Sequence, residues 1–201
     1  MSLKDKIKEG MRPTPLKKRI TFSLSKMRVQ LRRLDNTLHQ LENRDKKLYD
    51  KCVKSLSDKN MASATMYANE CAEIRKIAKM TLASQLALER VTLRLETVRE
   101  FGDIAFNMNQ AAHVVSLIKD NLANIVPEVS SKLDEVNDTL QDLMVEVGEA
   151  TESSLAMSSS SEEAQNILKE ATTLAEQKLT DTFPEIPPIS EEESNLEKSL
   201  K

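Results

Sequence analysis

Glycine, proline and aromatic residues are scarce in this chain of 201 residues, which has three glycines, six prolines, no tryptophan and 3% aromatics. Between Pro15 and Pro127 there is no proline and one glycine, Gly102. Gly and Pro cost about 1 and about 3 kcal/mol in a helix interior, so their absence over that distance predicts long helices. Leu, Met, Ala, Val and Ile supply nearly all the apolar mass, and the fold class is all-α. The two cysteines, Cys52 and Cys71, form no CxxC or Cys/His cluster. They read as small apolar residues in a reducing compartment, not as a disulfide or metal pair. No apolar run approaches the roughly 18 residues that cross a bilayer. Residues Met1 to Lys8 lack the apolar core of a signal peptide. A cytoplasmic chain is expected, soluble or peripheral on a membrane.

Catalytic motifs are missing as well. His39 and His113 fall in predicted helices, and neither has a Glu three residues earlier to make the Glu-x-x-His pair of a di-iron bundle. No Gly-rich phosphate loop, zinc-type Cys/His spacing or nucleophile elbow occurs. The expectation is a protein that is not an enzyme, with no cofactor, metal or small-molecule substrate.

Charge is abundant but divided. Residues 1–100 carry 23 Lys+Arg against 12 Asp+Glu, and residues 101–201 carry 6 against 20. The net of −3 therefore conceals halves of +11 and −14. Such halves can neutralise each other, pair between molecules, or bind outside partners of opposite sign.

In the N-terminal segment, residues 1–15, Leu3, Ile7 and Met11 recur every four residues beside Lys4, Lys6, Lys8 and Arg12. On a helix this is a narrow apolar stripe next to a cationic face, which fits a shallow membrane anchor and equally a solvated terminus. From about Thr21 to Leu56 the apolar residues Leu24, Met27, Leu31, Leu34, Leu38 and Leu41 follow a heptad seam. Asp45 interrupts it before Leu48 and Cys52 resume the register. Off the seam lie Lys17, Lys18, Arg19, Lys26, Arg28, Arg32 and Arg33, with no acid between Glu9 and Asp35. Ser57–Asn60 reads as a tight reversal.

A second helix is predicted from about Met61 to Val126. Leu88, Val91, Leu95 and Val98 give its clearest stripe, and the register then slips by one through Met108, Ala111, Val115, Ile118 and Leu122. Gly102 sits at the slip and is a candidate hinge. Pro127-Glu128 starts another helix, with Val129, Leu133, Val136, Leu140 and Leu143 inside and acids outside. Residues 153–161 read as a Ser-rich linker, and a short helix follows from about Ser161 to Leu179. Residues 181–201 form a proline-rich, then acidic, tail.

Together, the basic first helix (Lys17 to Arg33), the long second helix, the acidic second half and the terminal Phe183-Pro184-Glu185-Ile186-Pro187-Pro188-Ile189 resemble the ESCRT-III family, and within it the archaeal cell-division (Cdv) members. The resemblance spans nearly the whole chain. It implies a basic helical hairpin core over residues 16–126 and acidic regulatory helices over residues 127–180 that fold back to mask it. It also implies a membrane-remodelling filament, in which subunits co-polymerise with themselves and with paralogues on an anionic lipid membrane, at the division ring on the inner face of the cell membrane. Family tails carry a proline-rich motif that docks in the MIT domain of a Vps4-type AAA ATPase, which disassembles the polymer. Residues 183–189 fit it, although Phe183 and Ile186 stand where leucines are usual. Some archaeal members continue into a winged-helix domain, and this chain looks like a shorter paralogue. Two other readings fit parts of the sequence: a coiled-coil scaffold without membrane binding, and nucleic-acid binding by the basic helix. The few aromatics and the −14 half speak against nucleic acid.

Overall fold

The computed structural model describes residues 16–101, 104–150 and 157–188. Among these, five helices and no strand are found: α1 (Leu16–Ser57), α2 (Met61–Phe101), α3 (Ile104–Leu122), α4 (Pro127–Ala150) and α5 (Met157–Thr182). Lys4, Lys6, Lys8, Arg12, Gly102 and Ile189 lie outside the described residues.

α1 has 42 residues, about 63 Å at 1.5 Å per residue. Of the predicted seam, Leu24, Met27, Leu34, Leu38 and Cys52 are buried and Leu31, Leu41 and Leu48 half-buried, and Ile20 extends the buried face by one turn in the antiparallel hairpin with α2. Asp45 does not interrupt this seam. Its side chain is 1% exposed and occupies the seam position itself, because Arg75 of α2 meets it with two hydrogen bonds. A carboxylate is tolerated there since a bidentate guanidinium replaces its water.

The reversal at 57–60 is a helix C-cap joined directly to an N-cap. Asn60 N donates to Ser55 O (2.8 Å) and Lys59 N to Leu56 O (3.0 Å), which satisfies two orphan carbonyls. Asn60 Oδ1 then accepts from Ser63 N at 3.0 Å to cap α2. Lys59 takes a left-handed conformation, φ 55°, where Gly is usual and a Cβ is strained. Lys59→Gly is therefore expected to stabilise the chain by about 0.5–1 kcal/mol in urea unfolding; a loss of stability would contradict that account.

The single helix expected over Met61–Val126 is two helices. Arg94 of α2 hydrogen-bonds Gln110 of α3, whereas 16 residues of continuous helix would separate them by about 24 Å. α3 therefore runs back along α2. The register slip is the point where each helix begins to present its own face to a shared core. α3 and α4 form a second hairpin, and α5 packs against α2 and α3.

All five helices meet in one core, from Ile20 to Leu34 on α1, Ala87 to Val98 on α2, Met108 to Leu122 on α3, Val129 to Leu143 on α4 and Ala164 to Ala171 on α5. The rest of the α1–α2 hairpin, with Cys52, Ala64, Ala68, Cys71 and Ile74 between its helices, projects beyond that core. α5 begins at Met157, so the last part of the predicted Ser-rich linker is helix. The stripe from Ala164 to Ala175 buries against the bundle and carries that first turn with it. Leu174, beside that stripe in the sequence, is exposed.

Candidate functional site

The charged halves meet inside the molecule along two ladders of ion pairs. On α1, Arg19, Lys26 and Arg33 are seven residues apart; on α4, Glu128, Glu135 and Asp142 are too. Two helices that cross at a shallow angle return to the same mutual orientation every seven residues, so equal heptad spacing lets every rung form. Arg19 meets Glu146 at 2.8 Å and Asp142 at 3.6 Å, Lys26 meets Glu135 at 2.9 Å, and Arg33 meets Glu128 at 3.1 Å. Numbers that rise on α1 and fall on α4 make the pair antiparallel. Ser23 and Gln30 lie on this same face of α1 by helical spacing and are buried, which puts a polar seam beneath the ladder.

The second ladder joins α2 to α5. Arg94 meets Glu163 at 2.9 Å, Arg90 pairs with Glu170, and Lys79 pairs with Glu176. Gln110 of α3 donates to Glu163 as well, tying three helices at one carboxylate. Six basic residues of the first half are thus matched by acids beyond Pro127. Rungs this exposed contribute little each and are screened by salt, so the ladders set register more than stability.

Of the cationic residues predicted to face a membrane, Arg19 and Lys26 are half-buried against α4, Arg33 is paired to α4 but exposed, and Arg28 pairs with Glu96 of α2. Lys17, Lys18 and Arg32 are exposed and make no ion pair among the described residues. Phe22, 57% exposed, and Val29 lie on the same outward face as Lys18 and Arg32, and Lys26 Nζ is 4.6 Å from the Phe22 ring centroid. This mixed cationic and apolar face was missed in the sequence because Phe22 and Val29 fall off the heptad. The tail also has a place. Phe183, Ile186 and Pro187 are half-buried, Pro184, Glu185 and Pro188 are exposed, and Phe183 and Pro184 meet Arg75 of the hairpin.

Glu135 accepts hydrogen bonds from Lys132 and Lys26, and these hold its carboxyl at about 2, well below the ordinary 4.5. Because the folded value is the lower one, its contribution is full above about pH 4.5 and is lost as pH falls towards 2. Thermal unfolding between pH 5 and 2.5 should show the wild-type midpoint falling more steeply than that of Glu135→Gln. Parallel profiles would exclude this carboxylate as a contributor. The Cys71 thiol is pushed up to about 11 by burial, with Asp45 adding to it, and both cysteines are buried and free; neither suits nucleophilic chemistry. Among the described residues, no group of three His, Cys, Asp or Glu side chains could hold a metal ion, and no helix is long and apolar enough to cross a membrane.

No protein-family model matches the chain, and no solved structure gives a significant match. Two curated relatives from Sulfolobus acidocaldarius do. Cell division protein B1 is 41% identical over 182 residues, covering 90% of this chain and 85% of the relative. Cell division protein B is 32% identical over 191 residues, covering 94% and 73%. Identity at this level over most of both chains, joined to an all-α long-helix hairpin backed by acidic helices, is conclusive: the chain belongs to the cell division protein B family, the archaeal branch of ESCRT-III.

Proposed function

We propose that the chain acts in cell division as a membrane-remodelling filament subunit, held closed by its own acidic helices and opened by an anionic membrane. Its role is structural, not catalytic. The relatives' names carry the first part; the observation that carries the rest is the α1–α4 ladder. Arg19, Lys26 and Arg33 are occupied by carboxylates that a polyanionic surface can replace one for one. The buried Ser23 and Gln30 beneath them regain water when α4 leaves, which lowers the cost of separation. Lys17, Lys18 and Arg32, with Phe22 between them, are already presented for a first encounter. Each cation near an anionic surface adds about 1 kcal/mol at most, so binding becomes firm only when many subunits act together. That makes a polymer on the inner face of the cell membrane, shared with paralogues, the working form. Residues 183–189 then recruit a Vps4-type AAA ATPase through its MIT domain, and pulling on the tail extracts subunits.

Co-sedimentation with phosphatidylserine and with neutral phosphatidylcholine vesicles tests this. Glu128→Lys/Glu135→Lys/Asp142→Lys should raise binding to the anionic vesicles, and Lys18→Glu/Arg32→Glu should lower it. If the triple variant, verified to be folded, binds anionic vesicles no better than the wild type, the membrane-opened reading fails. Assembly that proceeds equally without vesicles would favour a scaffold without membrane binding.

A further inference from the structure

We infer that the buried Asp45–Arg75 pair is an intramolecular receptor for the Phe183–Pro184 segment, so that the tail is docked on the hairpin and must leave before an outside domain can take it. Asp45 Oδ1 accepts from Arg75 Nε at 2.8 Å and Oδ2 from Nη2 at 3.0 Å. These two bonds fix the guanidinium plane and leave Nη1 aimed away from α1. Nη1 donates to Pro184 O at 2.7 Å, and the guanidinium carbon lies 5.2 Å from the centroid of the Phe183 ring. One arginine thus reads two features of the tail, a carbonyl in its plane and an aromatic ring over its face.

The tail is shaped for this. Phe183 N donates to Leu179 O at 2.9 Å, closing the last turn of α5. Pro184 cannot continue the helix, so the chain leaves the helix axis and its carbonyl is free to accept. α5 runs antiparallel to α2, and the order Arg94, Arg90, Lys79, Arg75 against Glu163, Glu170, Glu176, Pro184 makes the tail contact the last rung of that ladder. This rung differs from the others, since its cation is held by a carboxylate 1% exposed and its acceptor is a main-chain carbonyl. Arg75 lies beyond the shared core, towards the hairpin tip, so the docking site is separate from the α1–α4 ladder.

The docking itself stands on this geometry alone; its consequence for an ATPase rests on the function proposed above. A partner that needs residues 183–189 extended sees its affinity reduced by the fraction of docked tail.

The test is 19F spectroscopy of the full chain labelled with 3-fluorophenylalanine. The chain has four phenylalanines, and the Phe183 resonance is the one lost in Phe183→Leu. A labelled peptide of residues 181–190 supplies the undocked position. Arg75→Ala strands a buried carboxylate and can fail to fold, so the deciding variant is Asp45→Leu/Arg75→Met, which removes both charges and keeps the volume. Circular dichroism verifies its helix content. The Phe183 resonance should move to the peptide's position, and affinity for an isolated MIT domain should rise on the order of tenfold. A Phe183 resonance unmoved in the folded double variant overturns the inference. If the resonance moves and the MIT domain binds neither form, docking is upheld and the ATPase part of the proposed function is what fails.

Discussion

Arg75→Ala is expected to destabilise the hairpin by about 3–5 kcal/mol, the loss that follows when one partner of a buried ion pair is removed. Asp45 is 1% exposed and Arg75 18%. Truncating the arginine leaves an anion in the α1–α2 seam, between Leu41 and Leu48, with neither water nor a counter-charge. The double variant Asp45→Leu/Arg75→Met should recover most of the loss, because Leu continues the heptad that Asp45 occupies and no charge remains to be desolvated. Urea unfolding followed by circular dichroism measures both. A loss below about 1 kcal/mol for Arg75→Ala would mean that Asp45 reaches solvent and that the pair does not organise the hairpin.

Leu140→Ala should cost about 2–5 kcal/mol, the range for removing a fully buried leucine side chain. Leu140 lies on α4 inside the core that all five helices share, so the cavity opens where α4 is held. For a chain of this size the thermal midpoint would fall by roughly 5–15 °C. Leu93→Ala is the control: Leu93 is 63% exposed on α2, and its truncation should change the midpoint by no more than about 1–2 °C. Equal midpoints for the two variants would show that α4 is not part of the core. Phosphatidylserine co-sedimentation gives a second readout, since loosening α4 uncovers Arg19, Lys26 and Arg33 and should raise vesicle binding.

How legible the fold was depended on how local its cause is. The reversal at Ser57–Asn60, the buried stripe of α4 and most of the α1 seam follow from the sequence, because heptad spacing and capping chemistry act within a few turns; Leu31, Leu41 and Leu48 are only half-buried. The seam's one polar member was read as a break, since a lone aspartate among leucines shows nothing of the arginine 30 residues on that satisfies it. The break between α2 and α3 appeared only as a slip of one residue at Gly102. A phase shift fits a continuous, kinked helix and a full reversal equally well, and tertiary contacts such as Arg94 to Gln110 choose between them.

The ladders were written in the sequence but not read there. Arg19, Lys26 and Arg33 share the seven-residue step of Glu128, Glu135 and Asp142, a signal that equal spacing of opposite charges could have disclosed. The basic residues were read as one membrane face. The structure divides them into Arg19, Lys26 and Arg33 paired to acids of α4, Arg28 paired to α2, and Lys17, Lys18 and Arg32 exposed without an ion pair among the described residues.

What the sequence alone determined is the helical class, the seams, and the separation of charge into a basic first half and an acidic second half. Each follows from propensity, periodicity and composition, which need no partner to be evaluated. Only the tertiary structure decided that the halves neutralise each other within one molecule, that α3 returns to pair with α4, and that Arg75 joins a buried carboxylate to the tail. Those outcomes depend on which surfaces meet, and long-range pairing is set by the burial of one shared core, Ile20 to Ala171, that no single segment contains.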